Sequence, residues 1–360
     1  MANIERFENY ERCHYEVNLE VIRQKCKQWR EMFEIVEPYV DISATSNKDI
    51  YSCLLDLGCG LTNRDRAFLS YVTSPLSVNM ASSIIDLSSV SHGAYTSQLK
   101  AHEINKISFD SEELLDIIKE DYPEANLFLK ISTNSITDEE ILSVEESIEL
   151  LQKAKDSNMK VTGLAIYYSE TSNFVALDYL NELFKLCKEK NFLFEQVHFF
   201  GTDFVKLVEE EEKRKTFVST LKSYGSDIVF SADAGIYLLA ESYSCSAKII
   251  GKKAKIINGK KQIMYYLDDG VYTSFFCVKL DNVELNPIPI RIKSQSRGDE
   301  LYQTTIWGPT CDSIDCLGSH FSLPELDIDD WIVFDGVGYQ CTTMSTGFNG
   351  MSDPDTFVSY

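Results

Sequence analysis

The sequence predicts an α/β chain: a TIM-like (β/α)8 barrel followed by an antiparallel β-domain. Three observations lead there. Short apolar strands alternate with amphipathic helices over roughly 200 residues, the pattern of parallel strands joined by crossover helices. No Gly-rich dinucleotide turn follows the first strand, so a closed barrel fits better than an open sheet. Near residue 240 the long helical patterns stop, and short strands separated by turn signals replace them.

The elements follow in order. CHYEVN (13–18) alternates as a strand, and it precedes the first barrel helix, so it is placed in the β-domain. LEVIRQKCKQWREMFE (19–34) carries Leu19, Ile22, Cys26, Trp29 and Phe33 at helical spacing. ANLFLKIST (125–133) reads as a strand before a helix over 139–157. KVTGLAIYY (160–168) precedes a helix over 175–191, then the strand FEQVHFF (194–200). A helical pattern over 207–225 leads to the strand DIVFSA (227–232). Its EEEEKRK run (209–215) reads as a solvated helix face. The β-domain strands are KIINGKKQIMYYL, YTSFFCVKL, QTTIWG and DWIVFDG, punctuated by NGKK, LDDG and GPT. The expected domains are therefore 1–18 with the β-domain, 19–240 as the barrel and 241–360 as the β-domain. No internal repeat or low-complexity tract stands out.

Composition narrows the class. The 360 residues are 44% hydrophobic, with 19 Tyr and 20 Phe, enough for a large core and too rich for disorder. A net charge of −22 disfavours nucleic acid and anionic membrane as partners. It serves solubility, and it would also suit a basic partner or a polycationic small molecule. Residues 1–12 show no signal-peptide pattern, and no apolar run is long enough to span a bilayer. The ten Cys lack CxxC spacing, and Cys53, Cys187 and Cys277 sit in apolar runs. Reduced thiols in a cytoplasmic protein, with no metal site, are the expectation.

Three segments carry a resemblance: MYYLDDGVYTSFFCVKLDN (264–282), TTIWGPTCDSIDCL (304–317) and LPELDIDDWIVFDGVGYQCTTMSTGFNG (323–350). Together they resemble the C-terminal domain of the eukaryotic ornithine decarboxylase family, fold type III enzymes that use pyridoxal phosphate (PLP). ISFDSEELLDII (107–118) and ANLFLKIST resemble the family's barrel, and residues 39–100 match least. The resemblance implies a barrel plus a β-domain, in agreement with the periodicity.

It also implies which positions carry the chemistry, and many have changed. The Schiff-base lysine falls on Ser43, which forms no imine; Lys48 lies five residues later. A histidine stacked on the pyridine ring becomes Tyr167, and Glu170 replaces a small residue near the phosphate. The glycine run of the phosphate loop retains only Gly201, with Asp203 adding negative charge. The Glu-Pro-Gly-Arg motif reads DAGI: Asp233 would face the pyridinium, and Ile236 removes an arginine. Lys130 occupies another arginine position, and His198 lies on a barrel strand as either a packed or a functional residue. A phosphate-contacting tyrosine falls on Gln340, beside Tyr339. On the substrate side Cys311, Asp312 and Asp281 match a catalytic cysteine, its neighbouring aspartate and an acid that holds the distal amine. In the family these groups act across a dimer interface, and the WGPTCD loop also has a structural role. These losses lead to the expectation that the PLP site is lost, so that no cofactor binds and no residue catalyses.

The functional expectation is an inactive paralogue that regulates polyamine synthesis by binding antizyme, like the antizyme inhibitors. The corresponding element spans about 94–120, with Lys100, Lys106, Phe109, Asp110 and Glu112 as candidate contacts. One alternative is a prozyme-type subunit that activates a catalytic decarboxylase paralogue by heterodimerisation. Another is a weakly active PLP-dependent amino-acid decarboxylase. A weak homodimer is the expected self-association.

Overall fold

A computed structural model describes residues 7–64, 84–88, 93–131, 142–168, 176–280, 283–339 and 341–359. The described residues form two compact units: one from Met1–Ile22, Ala44–Ser46 and Leu238–Tyr360, the other from Arg23–Ser43 and Asn47–Tyr237.

The second unit is the barrel. Its strands are β2 (Val36–Asp41), β3 (Gly60–Asn63), β4 (Ile84–Asp86), β5 (Lys106–Phe109), β6 (Asn126–Ile131), β7 (Lys160–Tyr167), β8 (Gln196–Phe200) and β9 (Val229–Asp233). Each pairs in parallel with the next, and β9 closes onto β2 with Tyr39 opposite Asp233. Alternation sends every second side chain inward. Tyr39, Ile85, Phe128, Ala165 and Phe200 meet in one interior cluster. Gly60 and Gly163 are bare because a Cβ there would strike the Tyr39 and Phe128 rings respectively.

Helices cover the outside for reasons legible in their sequences. In α1 (Leu19–Phe33) Leu19, Ile22, Cys26, Trp29 and Phe33 are all buried, each large side chain contributing about 2 kcal/mol. Trp29 donates its indole N–H to Val36 O at 2.8 Å, tying the helix to β2. Asn47 caps α2 (Lys48–Asp56), so Lys48 is the first residue of a helix rather than part of the strand. The helices α3 (Gly93–Ala101) and α4 (Glu112–Asp121) flank β5, and Ser111 caps α4 through Leu114 N. A Ser143–Glu146 capping box starts α5 (Val144–Asp156), and α6 is Ala176–Glu189. The pattern over 207–225 divides at Glu210 into α7 (Lys206–Glu209) and α8 (Glu211–Ser223), because Glu210 leaves helical geometry at φ −98°, ψ 76°.

The other unit is a mixed sheet. It contains β1 (His14–Asn18), β10 (Tyr243–Ile257), β11 (Lys260–Leu267), β12 (Pro287–Ile290), β13 (Leu301–Trp307), β14 (Cys316–Pro324), β15 (Trp331–Asp335) and β16 (Asp355–Ser359). The path runs β12-β15-β10-β11-β13-β14, with β1 pairing β10 and β16. Most pairs are antiparallel, as expected, but β11 with β13 and β1 with β16 are parallel. A parallel pair needs a long crossover, which residues 268–300 supply between β11 and β13. YTSFFCVKL, expected as a strand, instead forms turns and a short helix over Cys277–Leu280. The cause is Asp269, whose carboxylate accepts from Gly270 N, Ser274 N and the Thr273 and Ser274 hydroxyls, folding the chain back on itself.

Candidate site at the barrel mouth

The C-terminal ends of barrel strands are where this fold places its chemistry. Asp41, Arg64, Asp110, Lys130, Tyr167 and Asp233 stand at or next to those ends. They fall into two groups.

The first is centred on Arg64. Its Nε lies 3.0 Å from Asp41 Oδ2, and its terminal nitrogen lies 3.5 Å from Asp233 Oδ2. Asp41 also accepts from the backbone N–H and hydroxyl of Ser43 and from the Thr62 hydroxyl. Asp233 Oδ2 accepts from Gly201 N at 3.1 Å. Asp233 Oδ1 is buried without a hydrogen-bond partner, and the nearest group is His198 Nε2 at 3.5 Å, itself unpartnered. The other ring nitrogen of His198 meets Ser231 Oγ at 3.1 Å, and Ser231 is reached by Gln196, which also donates to Tyr39 OH. Burial alone would push the Asp233 carboxyl up. Arg64, His198 and the Gly201 N–H outweigh it, so its pKa lies below the usual carboxylate value.

The second group is Lys130, 6% exposed. Its ammonium donates to Leu87 O at 2.9 Å and lies 5.9 Å from the centre of the Phe200 ring. Burial lowers its pKa, opposed by the charges of Asp110 and Asp86 and reinforced by Arg64.

The other candidate residues are placed as follows. Tyr167 packs edge-on against Phe200 at 5.6 Å. Gly201 has φ +123°, and a Cβ there would lie 2.6 Å from Tyr168 O. Asp203 is paired with Lys206 at 2.6 Å, so its negative charge is locally offset. Ile236 is half-buried in the short helix Gly235–Leu239. In the sheet unit, Cys311 is exposed, while Asp312 accepts from Ile314 N and Tyr272 OH, which hold its carboxyl below the usual range. Asp281, Glu170 and Gln340 lie outside the described residues.

Among the antizyme candidates, Lys100 and Glu112 are exposed and ion-paired, to Glu124 and Lys153. Phe109 is fully buried, Asp110 stands at the mouth, and Lys106 reaches Gln196 at the opposite end of the barrel. Arg64 was missed by sequence reasoning. Its signal is faint: an arginine directly after a four-residue strand, in the stretch of poorest resemblance.

A cavity of about 590 Å³ opens in the sheet unit beside Glu16, Asn18, Tyr243, Asp335 and Phe357, and none of the candidate residues lines it. Among the described residues no helix is long and apolar enough to cross a membrane. Among the described residues Cys13, Cys245 and Asp269 come close enough to share a metal ion; the Cys13 thiol donates to Asp269 at 3.0 Å, and burial pushes both thiols up.

Known proteins give this geometry its context. Residues 70–338 match the family described as pyridoxal-dependent decarboxylase, C-terminal sheet domain. Antizyme inhibitor 2 of Xenopus laevis is 26% identical over 345 residues, 88% of this chain and 74% of that protein. Ornithine decarboxylase of Rattus norvegicus is 25% identical over 375 residues, 95% of this chain and 79% of that protein. The lysine/ornithine decarboxylase of Vibrio vulnificus, solved with cadaverine, superposes with a TM-score of 0.85 at 19% identity, covering 99% of this chain and 96% of that one.

These matches correct one expectation. The loss of the cofactor does not stand: the matched family is pyridoxal-dependent, and a structural neighbour, SrLDC, is solved in complex with PLP and cadaverine. A cofactor is therefore expected, and part of the mouth fits it. Asp233 is a carboxylate at the mouth whose Oδ1 makes no contact closer than His198 Nε2 at 3.5 Å, and such a group would suit a protonated ring nitrogen. Ser43, Tyr167 and Ile236 stand where the resemblance places groups that hold such a cofactor. The match over residues 70–338, three-quarters of the chain, places this protein in the pyridoxal-dependent decarboxylase family of ornithine, diaminopimelate and arginine decarboxylases.

Proposed function

We propose that this chain is a non-decarboxylating member of its family that regulates polyamine synthesis by binding antizyme. The observation that carries the reading is Ser43. It stands where the resemblance places the Schiff-base lysine, and its hydroxyl and backbone N–H are both engaged by Asp41. Serine offers no amine, so the family's reaction lacks its usual anchor there. PLP, when bound, supplies an electron sink for decarboxylation. This chain's own contribution is Asp233, which would hold the ring nitrogen, and Arg64, which fixes Asp233 and Asp41 in place. Antizyme inhibitors among the relatives support the partner. The exposed faces of α3 and α4, carrying Lys100 and Glu112, are the surface on which the partner would sit.

The test pairs two measurements on the purified full chain. Release of labelled CO2 from ornithine, lysine and arginine is expected at background level with PLP present. Antizyme is expected to be captured, with Lys100→Glu weakening capture about tenfold at unchanged Tm. Turnover above background would overturn the first half of the reading. Absence of capture would overturn the second, and stimulation of a co-purified decarboxylase without antizyme would favour the prozyme-type subunit instead.

A further inference from the structure

Two strand lysines among the described residues turn their side chains into the barrel, Lys106 and Lys130. Lys106 opens β5, at the end away from the chemistry, and its amine is held by Gln196 Oε1 at 3.2 Å. Lys130 is the penultimate residue of β6, at the C-terminal end, in register with Ala165 of β7. The eight strands run in order around the barrel, so β6, the fifth, stands opposite β2, the first, which leads to Ser43.

The surroundings of Lys130 suit a reaction at its nitrogen. One acceptor for its N–H is Leu87 O at 2.9 Å, and the carboxylates of Asp110 and Asp86 act on the same ammonium. Its neighbours include the interior apolar cluster of Leu87, Phe128, Ala165 and Phe200, with Tyr167 packed on the same cluster. Desolvation outweighs those two carboxylates and shifts the balance toward the uncharged amine, the nucleophilic form, as with other reactive lysines in apolar sites. At the other side of the mouth Asp233 holds a carboxylate whose Oδ1 faces His198 Nε2 at 3.5 Å.

We infer that Lys130 is the amine of this barrel that bonds to the aldehyde of the family's cofactor, from the wall opposite Ser43. The step balances without oxidant or reductant. The Nζ lone pair attacks the aldehyde carbon, the amine gives up two protons to the carbonyl oxygen, and one water leaves as the C=N bond forms. The inference goes beyond the proposed regulatory role and does not depend on it. An aldehyde held from the opposite wall is compatible with binding without turnover.

The experiment treats the full-length protein with a low concentration of PLP, reduces it with borohydride and maps the adduct by peptide mass spectrometry. The expected result is a visible band on mixing and a reduced adduct concentrated on the peptide that contains Lys130. Lys130→Arg keeps the charge and tests the fold by its Tm, and it is expected to lower labelling at least about tenfold. Ser43→Lys is expected to create a second labelled site. Labelling spread over surface lysines as in the unfolded chain, labelling centred on any other residue, no adduct, or undiminished labelling of a folded Lys130→Arg variant would each overturn the inference.

Discussion

Aspartates do opposite work in the two units. In the sheet unit Asp330 is fully buried, with Oδ1 accepting from Ile292 N, Lys293 N and Ser294 N and Oδ2 from Asp327 N. Asp315 accepts from Val271 N, Thr310 N and the Thr310 hydroxyl, and it sits so close to Gly270 and Gly308 that neither tolerates a Cβ. Asp269 folds the segment after β11 in the same way. At the barrel mouth Asp233 instead takes one backbone N–H, from Gly201, and otherwise faces side chains, Arg64 and His198, each at 3.5 Å. A carboxylate saturated by backbone N–H groups is a brace, whereas one held mainly by side chains in a mouth can exchange partners. The segments LDDG, WGPTCDSID and LDIDDW carry these bracing aspartates, which hold turns together whatever the barrel does.

The sharpest way to break that comparison is to remove a brace. Asp330→Ala strands four backbone donors, that of Ser294 buried and the other three part-buried, and at about 1 kcal/mol for each the loss is expected near 4 kcal/mol. Urea unfolding of the variant checks it, and a loss under about 1 kcal/mol would mean the turn rebuilds without the carboxylate.

Most of the fold was legible because its signals are local. Helical spacing marked α1, alternation marked β6 to β8, and turn residues marked the start of the sheet unit. The β-turn-helix after β11 was read as a strand because its residues are β-formers, and the deciding contact, Asp269 capping Ser274, competes with propensity from outside the apolar pattern. The split at Glu210 was invisible in a uniformly charged run. At the mouth, Ser43, Gly201 and Asp233 were singled out by resemblance as altered cofactor positions. Arg64 was not, because its meaning lies in bridging the ends of β2 and β9, strands that are adjacent only once the barrel closes. Phe109 shows the converse: the motif singled it out, and the fold buries it as core.

A second, smaller effect comes from a buried carboxyl that is not a brace. Asp86, behind the barrel wall with Asn63, Ser88 and Tyr95, is pushed up to about 6 from 3.8, chiefly by burial, with those three hydrogen bonds and Lys130 opposing. Its folded pKa is raised, so the folded state binds the proton more tightly than the unfolded chain. Its contribution to stability is full below about pH 4, falls as pH rises through about 6, and is constant above. A shift of about two units corresponds to about 3 kcal/mol. Asp86→Asn is therefore expected to flatten the decline in unfolding free energy between pH 4 and pH 7, with the variant gaining most at the neutral end. An unchanged pH profile would show that the Asp86 carboxyl titrates in the folded barrel as it does in the unfolded chain.

The smallest effect tests the mouth itself. Arg64→Met removes the cation shared by Asp41 and Asp233 while keeping an apolar stem. Breaking a buried ion pair outright costs about 3–5 kcal/mol. Here each carboxylate keeps other donors, Ser43 and Thr62 for Asp41 and Gly201 N for Asp233, and Arg64 is itself partly exposed. The expected loss is about 2 kcal/mol at neutral pH. It should shrink in acid, because without Arg64 the Asp233 carboxyl rises toward protonation, and a neutral carboxyl no longer needs the guanidinium. A loss as large as that of Asp330→Ala, unchanged by pH, would make Arg64 a brace like those of the sheet unit. The mouth would then be a structural element, with no group in it poised to receive a ligand.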